Sequence, residues 1–274
     1  MKFIYGKNIL ITGGSSGIGE CCAHLLAQHG YRVYAAARSY GREVKKFESG
    51  GEIIPVVMDV CSDESVKAAI NKIMSECENI GVVIHCAGMG IAGAAEDTPM
   101  DEAYRQMDVN YFGVLRVNQY ILPIMRKQGY GLVIITGSVA GVIPIPFQSH
   151  YSSSKFALEA YSRALRLETE KYGIKVTLIE PGDTNTGFTD ARKYTIPEGS
   201  CYEEDCKRAV AKMEEDERNG ASPLSAADTY LKVINKKNPP VKVTIGFNYK
   251  FLLFLKRFLP ERLILQILKL IYLK

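Results

Sequence analysis

The chain has seven cysteines (21, 22, 61, 77, 86, 201 and 206), but it lacks any Cys-x-x-Cys pair and any Cys/His group with metal-ligand spacing. A bound metal is therefore not expected. The odd cysteine number and the lack of a signal peptide at the start point to reduced thiols and a cytoplasmic setting, with a Cys201–Cys206 bridge as the lesser alternative. A strong charge of one sign is also missing. The net charge is +4 and no basic stripe with interleaved aromatics occurs, so nucleic acid is not an expected partner. There is no internal repeat and no low-complexity tract. Charges and Pro260 break the one strongly apolar region, at the C-terminus, into pieces too short to cross a membrane. What remains is a 274-residue chain with 47% apolar residues, ample for the core of one large domain or two small ones.

Short apolar runs alternate with stretches of helical period. Strands are predicted at 7–12, 31–37, 52–58, 82–85, 131–136, 174–180 and 241–246. Helices follow the first strand as far as Gly30, then span about 62–77, 98–128 in two pieces, 151–172, 202–217 and 225–234. This alternation predicts an α/β fold built on a doubly wound parallel β-sheet. Residues 1–246 read as a single domain, with a polar insertion at about 183–220 that is a lid candidate, and 247–274 as an apolar, basic helical tail.

The turn after the first strand is Thr12-Gly-Gly-Ser-Ser-Gly17-Ile-Gly19. Strand, glycine-rich turn and helix together form a nucleotide-binding context. The glycines let the backbone approach a pyrophosphate, and the helix N-terminus offers free N–H groups. A site preferring NAD usually ends its second strand with an acid for the ribose 2′-hydroxyl. Here Arg38, Ser39, Tyr40, Gly41 and Arg42 follow, and the first acid is Glu43. A guanidinium clamps a 2′-phosphate, so NADP(H) is favoured over NAD(H), unless Arg38 and Arg42 are only solvated. Asp59, followed by Val60, either accepts a bond from an adenine amino group or caps the helix starting near Ser62. Cys86-Ala87-Gly88 is small enough to pass close to a ribose, and His85 before it reads as a packed strand-end residue.

Tyr151 and Lys155 stand one helical turn apart on one face. An ammonium beside a phenol favours the phenolate, so the Tyr151 pKa is expected to fall from about 10 towards working pH, which suits a general acid/base. The alternative is an interfacial Tyr beside a solvated Lys. Ser138 lies at a strand's C-terminal end, where open α/β sheets place ligands. Asn110 sits mid-helix, where it either faces solvent or has a task. Pro181-Gly182 ends the sixth strand, and Val139, Val142, Ile143, Pro144, Ile145 and Phe147 offer an apolar lining after Ser138.

The tail sets six cations (Lys250, Lys256, Arg257, Arg262, Lys269, Lys274) against Glu261 alone. Arg262, Gln266 and Lys269 share one face of its last helix, opposite the leucines. Three readings stay open: packing on the domain or a second subunit, contact of 249–274 with an anionic membrane surface, or cover for an apolar substrate cleft.

In order and spacing, Thr12-Gly-x-x-x-Gly17-x-Gly19, Asp59, Ala87-Gly88, Asn110, Ser138, Tyr151-x-x-x-Lys155 and Pro181-Gly182 resemble the short-chain dehydrogenases/reductases over about residues 5–190. The runs 134–141, 151–159 and 178–182 look most similar to the 17β-hydroxysteroid and retinol dehydrogenase branch. The resemblance implies a Rossmann fold and a catalytic set of Asn110, Ser138, Tyr151 and Lys155. Tyr151 would protonate the carbonyl oxygen, Lys155 would lower its pKa and bond the nicotinamide ribose, Ser138 would hold the substrate oxygen, and Asn110 would hold a relay water. Gly13, Ser15, Ser16, Gly17, Ile18, Gly19 and Arg38 would contact the adenosine and phosphates, with Asp59 and Val60 at adenine. Cys86, Ala87, Gly88, Tyr151 and Lys155 would contact the ribose side, and Ile179, Pro181, Gly182 and Thr184 the nicotinamide. Cys86 stands where the family often has Asn. Ser16 stands where NADP-preferring members often carry a basic residue, which leaves the 2′-phosphate to Arg38.

The implied activity is NADP(H)-dependent interconversion of an alcohol and a ketone or aldehyde on an apolar, steroid- or retinoid-like substrate. Reduction of a 3-oxoacyl thioester or a long-chain sphingoid ketone is the runner-up, and a non-catalytic NADP(H)-binding regulatory protein is the other class. A homo-oligomer, dimer or tetramer, built on the helices at 101–127 and 150–172 is implied by resemblance alone.

Overall fold

The computed structural model describes residues 3–39, 41 and 43–274. In chain order the strands are β1 (Asn8–Thr12), β2 (Arg32–Ala37), β3 (Lys45–Lys46), β4 (Glu52–Val57), β5 (Val82–His85), β6 (Ile91–Ala92), β7 (Gly131–Thr136), β8 (Ile174–Glu180), β9 (Lys193–Tyr194) and β10 (Lys242–Thr244). The helices are α1 (Gly17–Gln28), α2 (Asp63–Glu76), α3 (Met100–Met107), α4 (Gly113–Gln128), α5 (Ser149–Thr169), α6 (Glu203–Arg218), α7 (Pro223–Ile234), α8 (Phe247–Lys256) and α9 (Glu261–Tyr272). The main sheet runs β10-β8-β7-β5-β1-β2-β4-β3, parallel except for β3. All seven predicted strands are present, and the doubly wound α/β fold is the observed one.

The strands are apolar at nearly every position because both faces are covered. Leu10, Tyr34, Val83, Val133 and Ile135 face the core under α2, α4 and α5. Their chain neighbours Ile9, Ile11, Val33, Ile84 and Ile134 face the core under α1 and α7. The parallel register brings the ends Thr12, His85 and Thr136 to one edge. Strand order reverses between β5 and β1, so ligands are expected at that edge.

Two-residue strands escape a periodicity reading, and β3, β6 and β9 were not expected from the sequence. β6 and β9 pair in parallel as a separate ribbon, tying the insertion to the loop after β5. The helical region about 98–128 is interrupted by a π turn, Asp108–Phe112, between α3 and α4.

Gly246, at φ +93°, turns the chain into α8. Among the described residues no helix is long and apolar enough to cross a membrane. The tail packs back on its own domain. The Tyr249 hydroxyl donates to Asp183, Lys256 donates to the Val142 carbonyl, and Ile264 of α9 is buried.

Candidate active site

Tyr151 and Lys155 lie in the first two turns of α5. Lys155 is buried and its Nζ donates to the Thr136 carbonyl at the end of β7, at 2.9 Å. The same Nζ lies 5.7 Å from the centroid of the Tyr151 ring. Ser138, just past β7, caps a 3₁₀ turn by accepting the Ala140 N–H at 3.1 Å.

The expected fall of the Tyr151 pKa is corrected by the structure. Burial pushes the phenol up to about 12, with Glu217 and Asp183 adding to the rise and the Ser138 hydroxyl and Arg192 opposing it. Lys155 spends its bond on the Thr136 carbonyl and meets the ring rather than the hydroxyl, so desolvation wins. Burial also lowers Lys155, to about 8. Tyr151 is thus a proton-carrying phenol at neutral pH, the form a general acid needs.

Asn110 is buried and its amide has a task, the second of the two alternatives left open by its mid-helix position. The π turn aims it at the loop after β5. Its Oδ1 accepts the Met89 N–H at 2.9 Å, and its Nδ2 donates to the Met89 carbonyl at 3.1 Å and to Ser154 Oγ at 3.0 Å. Ser154 in turn donates to the Tyr151 carbonyl at 2.7 Å. Both Nδ2 hydrogens are committed, which leaves one Oδ1 lone pair for a water. Asn110 therefore braces the Met89 loop against α5. Gln106, absent from the sequence reading, helps by donating to the same Met89 carbonyl at 2.7 Å.

The glycine turn is held by close packing as well as by any ligand. A Cβ on Gly19 would fall 2.2 Å from the Gly13 carbonyl, and one on Gly13 would fall 2.7 Å from the Ala87 N. Ser15 and Ser16 are exposed, and Ser16 precedes α1 without a side-chain cap, so the first-turn N–H groups face outward uncapped. Gly17 and Ile18 are half-buried behind them. Arg38 is exposed, with no acid paired to it among the described residues; Arg42 and Tyr40 lie outside them. Ser62, not Asp59, caps α2; Asp59 accepts the Cys61 N–H at 3.0 Å in its own turn. Val60 is buried and its carbonyl accepts from Arg116 at 3.1 Å. These groups are of the kinds a dinucleotide needs: uncapped N–H donors for phosphates, an exposed guanidinium for a 2′-phosphate and a carboxylate acceptor for an amino group.

Where the family often has Asn, the Cys86 thiol sits 3.3 Å from Thr136 Oγ1, which contacts the Tyr230 hydroxyl at 2.8 Å. These contacts tie the turn after β5 to β7 and α7. Burial pushes that thiol up to about 11, so it is no nucleophile. Gly88 lies against Asn110. His85 is a packed residue, as expected: its Nε2 meets Asn118 Oδ1 at 2.9 Å, and burial holds it near 4.

Ile179 is wholly buried in the core, so its side chain cannot flank a nicotinamide as the resemblance implied. Pro181 accepts the Val139 N–H at 3.1 Å, and Thr184 Oγ1 donates to the Gly182 carbonyl at 3.0 Å. A Cβ on Gly182 would fall 2.1 Å from the Tyr249 ring, which places the tail at the rim of the site. Sequence reasoning also missed Phe188, whose ring lies tilted at 54° and 5.7 Å from that of Tyr151, and the buried Arg192, which pairs with Glu217. Both sit in the polar insertion, where no motif marks them.

The family described as short chain dehydrogenase matches residues 7–196. The chain belongs to that family. It is 39% identical over 267 residues to the 3-ketodihydrosphingosine reductase of Bacteroides thetaiotaomicron, covering 96% of this chain and 97% of that protein. It is 31% identical to bovine retinol dehydrogenase 8, covering 93% and 86% of the two chains. A short-chain dehydrogenase from Streptomyces avermitilis superposes with a TM-score of 0.80 at 24% identity over 92% of each chain, a likeness of fold. As a short-chain dehydrogenase the protein is an oxidoreductase of a family that uses NAD(P)(H).

Proposed function

We propose that the protein is an NADPH-dependent reductase of an apolar carbonyl compound, most specifically a long-chain sphingoid ketone. In this reading 1–246 is the catalytic domain, about 183–220 its lid, and 247–274 the tail. The observation that carries it is the meeting of Ser138, Tyr151 and Lys155 at the carboxyl edge of the sheet, with Tyr151 held as a neutral phenol. Bound nicotinamide supplies a hydride. The chain's residues do the rest. Ser138 Oγ donates to the carbonyl oxygen and orients it. Tyr151 passes its proton to that oxygen as negative charge develops there. Lys155 steadies the resulting phenolate, and the Asn110–Ser154 brace holds α5 in place. Gly13, Ser15, Ser16, Gly17, Ile18, Gly19, Arg38, Asp59 and Val60 hold the adenosine and phosphates. Cys86, Ala87, Gly88, Pro181, Gly182 and Thr184 line the rest.

The substrate ranking follows similarity. The sphingoid reductase, 39% identical over 96% of this chain, supports a long-chain sphingoid ketone first, and the retinol dehydrogenase, 31% identical, keeps retinal as the second reading. A cavity of about 320 Å³ lies beside the Ser138–Tyr151 loop, lined by Ala94, Pro146, Phe147, Tyr202 and Leu273 together with Glu96 and Ser149.

The test is NADPH and NADH oxidation across a long-chain aminoketone, ketosteroids, retinal and a 3-oxoacyl thioester. Fastest turnover of the aminoketone with NADPH supports the reading. Turnover of retinal or steroid alone restores the order that the sequence suggested, and NADPH binding without turnover moves the chain to the regulatory class.

The pH profile tests the catalytic set. Tyr151 has its pKa raised, so it keeps its proton through neutral pH; Lys155 has its pKa lowered to about 8, so it loses charge as pH rises through 8. Reduction, followed as kcat/KM, is therefore expected to be level near neutrality and to fall above about pH 8. A profile level to about pH 10 would remove Lys155 from the mechanism.

A further inference from the structure

We propose that α8 and α9 form a docking face for an anionic lipid bilayer, with a basic cavity beneath α8 taking headgroup phosphate. On α8 the side turned to the protein carries Tyr249, Leu253 and Lys256. The opposite side carries Phe247, Phe251 and Phe254, continued by Phe258 just past the helix, exposed by 81%, 56%, 54% and 70%. This spacing is one helical stripe. On α9, Ile264 points inward while Leu263, Ile267, Leu270 and Ile271 are exposed. Water-facing phenylalanines in a row are costly in a domain with an ample core, and they mark an interaction surface.

Charge selects the occupant. Arg163, Lys242, Lys250, Lys256 and Arg257 line a cavity of about 490 Å³ under α8. Arg163 pairs with Glu159, and Lys242 with Glu159 and Glu180. Lys256 donates to the Val142 carbonyl. Among the described residues Lys250 and Arg257 have no acid partner. A second copy meeting this face about a two-fold axis would set cations against cations. A neutral protein surface would bury them unmatched. A layer of lipid phosphates matches them, while the phenylalanine stripe enters the acyl boundary. The proposed contact is with the bilayer surface; no described helix is both long and apolar enough to cross it. Its inner side meets Gly182 and Asp183 through Tyr249, so docking turns the rim of the site towards the lipid. The docking stands on its own; only delivery of a bilayer-held ketone rests on the proposed function.

Flotation of the full-length protein with vesicles of phosphatidylcholine, and of phosphatidylcholine mixed with phosphatidylglycerol, tests this. Wild type is expected to float with the anionic vesicles, weakly with the neutral ones, and less as salt rises. F251S/F254S and K250E/R257E should each lower partition by about thirtyfold, with NADPH binding and turnover of a short water-soluble ketone unchanged. Equal flotation of wild type and both variants overturns the proposal. So does dimerisation through this face without vesicle binding, or binding of inorganic phosphate with no vesicle binding, which would make the cavity a site for free anions. Loss of turnover with flotation intact would count against the proposed function alone.

Discussion

Replacing Tyr151 with phenylalanine is expected to lower carbonyl reduction by about 10²–10⁴-fold while NADPH binding stays within a factor of about two. The substitution removes one hydroxyl and keeps the ring. The contact with Phe188 at 5.7 Å and the approach of Lys155 Nζ at 5.7 Å use the ring, so α5 keeps its packing. What disappears is the phenol poised beside Ser138 with its proton held by burial. Ser138 can still polarise the carbonyl, so the residual rate should exceed the uncatalysed one. Single-turnover rates with NADPH, beside a fluorescence titration of NADPH, separate the two effects. Unchanged turnover would sink the assignment of Tyr151; equal loss of binding and turnover would show a structural defect instead.

The architecture was legible because a parallel sheet covered on both faces needs long apolar runs, and the helices between them need a different period. β1, β5, β7 and β8 stand out in the sequence for that reason. Three members of the candidate site, Ser138, Tyr151 and Lys155, were legible as positions because they fall after β7 and in the first turns of α5, at the spacing that the family resemblance marks. Two things were not. Electrostatic sign depends on burial, which a Tyr-x-x-x-Lys spacing does not carry; hence the phenol rises where the pairing suggested a fall. Contacts between distant segments were also hidden. Arg192 and Glu217 meet through the fold of the insertion, and Tyr249 reaches Gly182 from the tail. Asn110 lies between these cases. Its poor fit to a helix was visible, but the π turn that aims it at Met89 was not.

Replacing Arg38 with aspartate is expected to reverse cofactor preference. Arg38 directly follows β2, is exposed, and has no paired acid among the described residues, so its guanidinium is open to a 2′-phosphate. A charge-assisted contact of this kind contributes about 1.5–3 kcal/mol, or roughly ten- to 150-fold in affinity. Aspartate adds repulsion towards the phosphate and an acceptor for the 2′-hydroxyl of NADH. Together these should move the ratio of kcat/KM for NADPH over NADH by about 10³-fold, mostly through KM. Ser16 offers no second cation on the α1 side, so little buffers the loss. The glycine turn is untouched, and Gly13 and Gly19 keep their packing on one another and on Ala87. The protein should therefore retain its fold, its binding of the shared diphosphate and its hydride chemistry with NADH. A ratio that stays put in R38D would mean the guanidinium is only solvated, and R42A would then be the substitution that carries the preference.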